Sequence, residues 1–156
     1  MVPGRISVNG QRGFTLVELL VVVAVIGIIT VTATPLFLSF LDAQQTRGAA
    51  QQVATLLNQA RQLAIANNTS YRVEVDVAGN RLRFVRTSDN SPWTGPGTDA
   101  QGYRKLENQA RLTAVTANPT FNSLGTAGGG TITTRNAHGS SSRNVIVSSS
   151  GRIRIQ

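Results

Sequence analysis

The stretch that decides the fold is Arg12-Gly13-Phe14-Thr15-Leu16-Val17-Glu18-Leu19-Leu20-Val21-Val22-Val23, which runs on as AVIGIITVTATPLFLSFL to Leu41. It opens on a cation and then becomes almost wholly apolar. Glu18 is its one internal charge, and Leu19 to Leu41 contains no ionisable side chain. About 20 apolar residues suffice for a helix to cross a bilayer, so this segment is long enough to span. An ionised group in such surroundings is tolerated when paired and strongly disfavoured when alone. Glu18 therefore either has a cationic partner or rests in the headgroup region at the membrane edge. A secretory signal peptide is the rival reading, with Arg5 and Arg12 as its basic region, Leu16 to Ile29 as its apolar region and Val31-Thr32-Ala33 as the cleavage site. Against it stand Glu18, which such a peptide does not need, and a helical pattern that runs far past Ala33.

That pattern continues from Asp42. Ala50, Val53, Leu57, Ala60 and Ala64 recur at intervals of three and four, and Leu56 and Leu63 widen the stripe. This is the spacing of an amphipathic helix facing a core. Asn67-Asn68 is the stop signal, so one helix is expected from Phe14 to Asn67. Pro35 removes a backbone donor and crowds the preceding turn, which predicts a kink or a locally melted turn.

Beyond the helix the pattern changes to period two. Tyr71 to Val77 alternates apolar and polar residues, Gly79-Asn80 reads as a two-residue hairpin turn, and Arg81 to Thr87 returns as the partner strand. Residues 88–102 read as a long loop. Further short strands are expected at Tyr103–Leu106, Ala110–Val115, from Pro119 to Phe121, and at Thr131–Thr134 after a flexible Gly128-Gly129-Gly130 turn. Asn144–Ser148 and Arg152–Ile155 form a last hairpin after the loop Ala137–Ser142. The fold class is α+β: a long N-terminal helix, its first half transmembrane, packed on an antiparallel sheet.

Composition narrows the function. The chain has 156 residues, a formal charge of +8 and no cysteine, which excludes a disulfide framework, a thiolate metal site and a cysteine nucleophile. His138 is the single histidine and lies in a Gly/Ser loop, so metal and catalytic constellations lack partners. Gly128 to Gly130 lacks the spacing and following lysine of a phosphate loop. No cofactor and no enzymatic activity are expected. Residues 108–156 hold five arginines, Arg111, Arg135, Arg143, Arg152 and Arg154, and no acid. Such an excess suits an anionic partner, or else a cationic edge strand that resists aggregation. In Arg152-Ile153-Arg154-Ile155 the arginines fall on one face and the isoleucines on the other, where they can bury. Trp93 and Tyr103 could stack on bases, though packing roles suit both.

Gly13-Phe14-Thr15-Leu16-Val17-Glu18 followed by a long apolar helix resembles the processing signature of type IV pilins and pseudopilins. The resemblance implies a leader of residues 1–13, cleavage by a prepilin peptidase after Gly13, and N-methylation of Phe14. Glu18 would then lie one helical turn from the new ammonium and could neutralise that of a neighbouring subunit, acting as a registry device in a filament. A proline near Pro35 is common in the family. Residues 14–41 would be the transmembrane and filament-core helix, 42–68 the helix packing on the head, and 69–156 the head.

Phe121-Asn122-Ser123-Leu124-Gly125, the strand Gly130–Thr134 and Gly151-Arg152-Ile153-Arg154 are similar to the GspH/FimT branch of that superfamily. This implies a minor pilin or type II secretion pseudopilin in the bacterial inner membrane, single-pass, with its head in the periplasm. Its partners would be other pilins in a filament, near the tip. Some FimT-type members bind DNA during transformation. Their GRxR pattern falls here on Arg152 and Arg154, with Arg143 and Arg135 as candidate extensions. Those heads can carry a terminal disulfide; this chain has no cysteine.

Overall fold

The computed structural model describes residues 13–107 and 111–156. The expected leader and Ala110 lie outside them, save Gly13. The chain divides into two units, with the boundary between Leu38 and Ser39. Helix α1, Leu16–Ala66, contributes to both. Within the first unit the large apolar side chains are exposed throughout, from Phe14, just before the helix, at 86% to Leu38 at 56%. The helix is long and apolar enough to cross a membrane. The helix runs without a break across Pro35.

In the second unit α1 turns one stripe to a core. Ala49, Ala50, Val53, Leu56, Leu57, Ala60 and Ala64 are buried, which matches the predicted stripe except that Leu63 is only half-buried. Small alanines let the strands approach closely, and each fully buried leucine contributes about 2–3 kcal/mol of transfer energy. The helix ends as its sequence predicts. Asn68 takes a positive φ of 45°, Thr69 N–H donates to the Ala64 carbonyl and Asn68 N–H to that of Ile65. This is the left-handed C-terminal cap that asparagine tolerates better than most residues.

The head holds two antiparallel sheets where the sequence suggested one. The first contains β1 (Tyr71–Asp76), β2 (Arg81–Arg86), β3 (Tyr103–Lys105), β5 (Thr120–Phe121) and β6 (Ala127–Gly128), in the order β3-β2-β1-β5-β6. The second contains β4 (Arg111–Val115), β7 (Gly130–Arg135), β8 (Ser142–Val147) and β9 (Ile153–Ile155), in the order β4-β7-β8-β9. The chain changes sheet between β3 and β4, between β4 and β5, and again at Gly129, a single residue between β6 and β7. Gly128, expected in a turn, pairs with Thr120 instead. The β1–β2 connection is four residues, Val77 to Asn80, rather than the expected two-residue turn. Asp76 drives this: its side chain accepts from Gly79 N–H and from Arg81 Nε, and Asn80 adopts a positive φ. Tyr71, Val73, Leu82, Phe84 and Phe121 of the first sheet and Leu112, Ile132, Val145 and Val147 of the second join the helix stripe in one core.

Candidate functional site

At the start of the chain, Thr15 caps α1. Glu18 N–H donates to Thr15 Oγ1 at 3.2 Å. Thr-x-x-Glu is also the spacing of a capping box, a local role that sequence reasoning missed although both residues were in view. A first-turn carboxylate is favoured at a helix N-terminus whatever else it does. Gly13, Phe14, Thr15 and Glu18 together line one shallow, open depression. Farther along, Thr30 and Thr34 turn their hydroxyls back onto the carbonyls of Ile26 and Thr30, and Thr32 onto those of Ile28 and Ile29. These three hydroxyls are thus satisfied by their own helix, as a lipid-facing segment requires.

In the second sheet, strand alternation sorts the arginines. Ile132 and Thr134 of β7 and Val145 and Val147 of β8 are buried, so the alternate positions face solvent. Arg111 pairs with Arg135, and Arg154 pairs with Ile146 across from Thr131. Arg111, Arg135, Arg152 and Arg154 therefore share the outer face, with Thr133 and Asn144 bonded between them at 2.9 Å. Arg143 pairs with Thr134 and so lies on the opposite side, beside Arg47 and Gln51 of α1 and Ile155. The proposed arginine cluster is split: Arg135 lies on the face with Arg152 and Arg154, and Arg143 does not. Arg111, named in sequence only as part of an arginine excess, joins them because β4 pairs with β7. None of these five arginines forms an ion pair among the described residues.

The isoleucines depart from expectation. They do take the opposite face from the arginines, but Ile153 is half-buried and Ile155 is 38% exposed. β9 is an edge strand, so only one flank covers them.

Gly151 explains the glycine of the GRxR pattern. It adopts φ +76°, and a Cβ there would overlap the Gly125 carbonyl oxygen. Gly125 also takes a positive φ, and its carbonyl accepts from Arg61 Nε of α1 at 2.9 Å. The Phe121–Gly125 and Gly151–Arg154 stretches thus meet at one knot that ties both sheets to the helix.

The aromatic candidates are occupied. Trp93 packs on Phe84 at 5.9 Å, and the Arg104 guanidinium lies 5.2 Å from its ring. Tyr103 is covered by Arg81 and Arg83 at 4.1 and 4.6 Å. His138 Nδ1 lies 3.1 Å from Asp42 Oδ1, and Ser140 donates to Oδ2 at 3.0 Å. The Asn136 and Ser140 side chains, with His138, hold the Asp42 carboxyl below the usual carboxylate range. Among the described residues no cluster of metal-ligating side chains occurs.

Comparison with known proteins places this architecture. The family profile "Type II transport protein GspH" matches residues 49–151, and the "Prokaryotic N-terminal methylation motif" matches residues 8–34. The chain belongs to the GspH family, within the type IV pilin and pseudopilin class. This class consists of structural subunits, not enzymes. A solved structure of the minor pseudopilin EpsH from the type 2 secretion system of Vibrio cholerae shares the fold, with a TM-score of 0.57 and 18% identity over 72% of this chain and 96% of that one. The type IV minor pilin FimU of Pseudomonas aeruginosa does so too, with a TM-score of 0.53 and 17% identity over 75% and 92%. In sequence, the "Type IV major alpha-pilin" of Moraxella bovis is 39% identical over 46 residues, 30% of this chain and 29% of that protein. "Fimbrial protein Q" of the same organism is 45% identical over 38 residues, 24% of each. The chain thus spans under a third of the length of these curated relatives.

Proposed function

We propose that this chain is a minor subunit of a type IV pilus or type II secretion pseudopilus, inserted in the inner membrane with its head in the periplasm and recruited near the filament tip. The observation that carries this reading is the bare apolar run from Leu16 to Leu41, headed by a first-turn carboxylate and ending at a helix stripe that is packed. Exposed apolar area of that extent demands lipid or other helices. In this scheme a prepilin peptidase cuts after Gly13, and Phe14 becomes an N-methylated terminus. Its ammonium meets the Glu18 carboxylate of a neighbouring subunit, which sets the axial register. Pro35 lets the helix bend as subunits pack.

Mass spectrometry of the mature chain tests the processing step; the expected N-terminus is methyl-Phe14, and a start at Thr34 would reject the scheme. Glu18→Ala is expected to leave processing intact and abolish filament incorporation. Normal incorporation would remove the registry role.

A second reading is supported by the outer face of the second sheet. Four arginines without acidic partners among the described residues, Arg111, Arg135, Arg152 and Arg154, spread along six strand residues, from the level of Ser142 to that of Ser148, or roughly 20 Å. Guanidinium groups suit phosphate oxygens. In this reading the head captures DNA without regard to sequence, and the affinity falls steeply with salt.

A further inference from the structure

β9 ends the second sheet, and no strand among the described residues covers its outer edge. Asn144 and Gln156 exchange both backbone hydrogen bonds, and Ser148 N–H donates to the Arg152 carbonyl. In an antiparallel ladder bonded and non-bonded pairs alternate. The N–H and C=O groups of Ile153 and Ile155 therefore point away from β8, toward the open edge. Beside that edge lies a cavity of about 350 Å³ lined by Arg47, Gln51, Arg143 and Ile155. Neither Arg47 nor Arg143 forms an ion pair among the described residues.

We infer that the open edge of β9 accepts a β-strand from an acidic partner polypeptide, which adds to the second sheet as a fifth strand. The edge supplies unpaired main-chain groups, the general basis of strand addition. Its side chains fix the partner's pattern. Aliphatic residues face Ile153 and Ile155, acids face Arg152 and Arg154, and a further acid reaches Arg47 and Arg143. A second copy of this chain is disfavoured in the two registers that overlap β9 most, since pairing Ile153 with Ile153 sets Arg152 against Arg154. The register that pairs Ile153 with Ile155 of another copy sets Arg154 against Arg154, and like charges directly opposite destabilise a sheet. The chain's own alternating acidic strand, β1, is already paired on both sides, by β2 and β5. The partner is therefore a different, acidic protein. The proposal rests on the filament-subunit reading for where that strand comes from, namely another subunit of the assembly.

The test uses the full chain in detergent micelles and a blocked fluorescent peptide, Thr-Val-Glu-Val-Glu-Val-Thr, with a control in which lysine replaces glutamate. The glutamate peptide is expected to bind saturably and to slow hydrogen exchange at the Ile153 and Ile155 amides. Ile155→Pro removes an edge donor that no ladder bond uses, and is expected to cut affinity at least about tenfold. Arg154→Glu, an exposed charge reversal that leaves the fold intact, is expected to switch preference to the lysine peptide. Binding that ignores Arg154→Glu, or protection elsewhere than β9, would overturn the inference. So would a duplex oligonucleotide that protects both amides when the peptide does not. Should the peptide fail to bind a chain whose filament incorporation still depends on Glu18, the strand-acceptor inference falls and the subunit reading stands.

Discussion

The two sheets of the head carry arginine in opposite ways. In the first sheet, Glu74 accepts from Arg72 and from its cross-strand partner Arg83, each at 2.8 Å. Arg81 bonds Asp76 at 2.8 Å and approaches Asp99, and Arg86 pairs with Asp89. In residues 71–107 six cations face five acids, whereas residues 108–156 hold five arginines and no acid. The first sheet uses arginine to satisfy its own carboxylates; in the second, no arginine has an acidic partner among the described residues. Residues 108–156 thus supply five of the eight formal net charges of the chain.

The strongest way to break this contrast is to unfasten the two sheets. Gly151→Val places a β-branched side chain at φ +76° and against the Gly125 carbonyl. Strain and overlap together cost about 2–4 kcal/mol. Thermal denaturation followed by circular dichroism should show a large drop in Tm, and a drop of only a degree or two would mean the knot is soft.

Next in size is removal of the outward arginines. Changing Arg111, Arg135, Arg152 and Arg154 together to alanine should lower duplex DNA affinity on the order of 100-fold and flatten the log–log salt slope by about 3–4. Unchanged binding would place any DNA contact elsewhere. Arg143→Ala, on the other side of the sheet, serves as the internal control and should alter the slope little.

The contrast was only half legible in the sequence. Charge counting located the acid-free segment, and alternation within Arg152 to Ile155 put its two arginines on one face. The helix, its stripe and its asparagine stop were legible because local periodicity and one cap decide them. The sheet division was not, since it depends on which strands pair across many residues, and β6 is two residues long with no alternation to read. Arg111 and Arg143 show the same limit. Their faces follow from pairing register with β7, and a one-residue change of register would exchange them. The capping role of Thr15 is legible in the Thr-x-x-Glu spacing, a local signal that needs no strand pairing to read.

A smaller effect separates the sheets by pH. Burial pushes the Glu74 carboxyl up, but the hydrogen bonds from Arg72 and Arg83 outweigh it and hold the group below the usual range. The Gly79 amide and Arg81 do the same for Asp76, and Ser91 for Asp89. A carboxylate with a depressed folded pKa stabilises fully above its unfolded value, near 4, and that contribution is lost as pH falls through the folded value. Acid should therefore release β1, β2 and the Asn136–Ser141 loop held by Asp42 before it releases β7 and β8. Hydrogen exchange across a descending pH series reads this order, and simultaneous release would erase the distinction. Glu74→Gln makes the point at neutral pH. With both partners partly exposed, the loss should be about 1 kcal/mol or less, while the freed Arg72 and Arg83 should add a measurable salt-dependent affinity for DNA.

The least effect is expected from Arg135→Ala alone. Its guanidinium is exposed and pairs with no acid among the described residues. An exposed side chain without such a partner contributes within about 0.5 kcal/mol to stability. Relief of repulsion from Arg111, directly opposite on β4, even favours the variant slightly. In urea melts the midpoint should hold or rise, while the salt slope for DNA falls by about 0.9, the share of one phosphate contact. A clear loss of stability would mean that Arg135 serves the fold, and that the second sheet handles its arginines as the first one does.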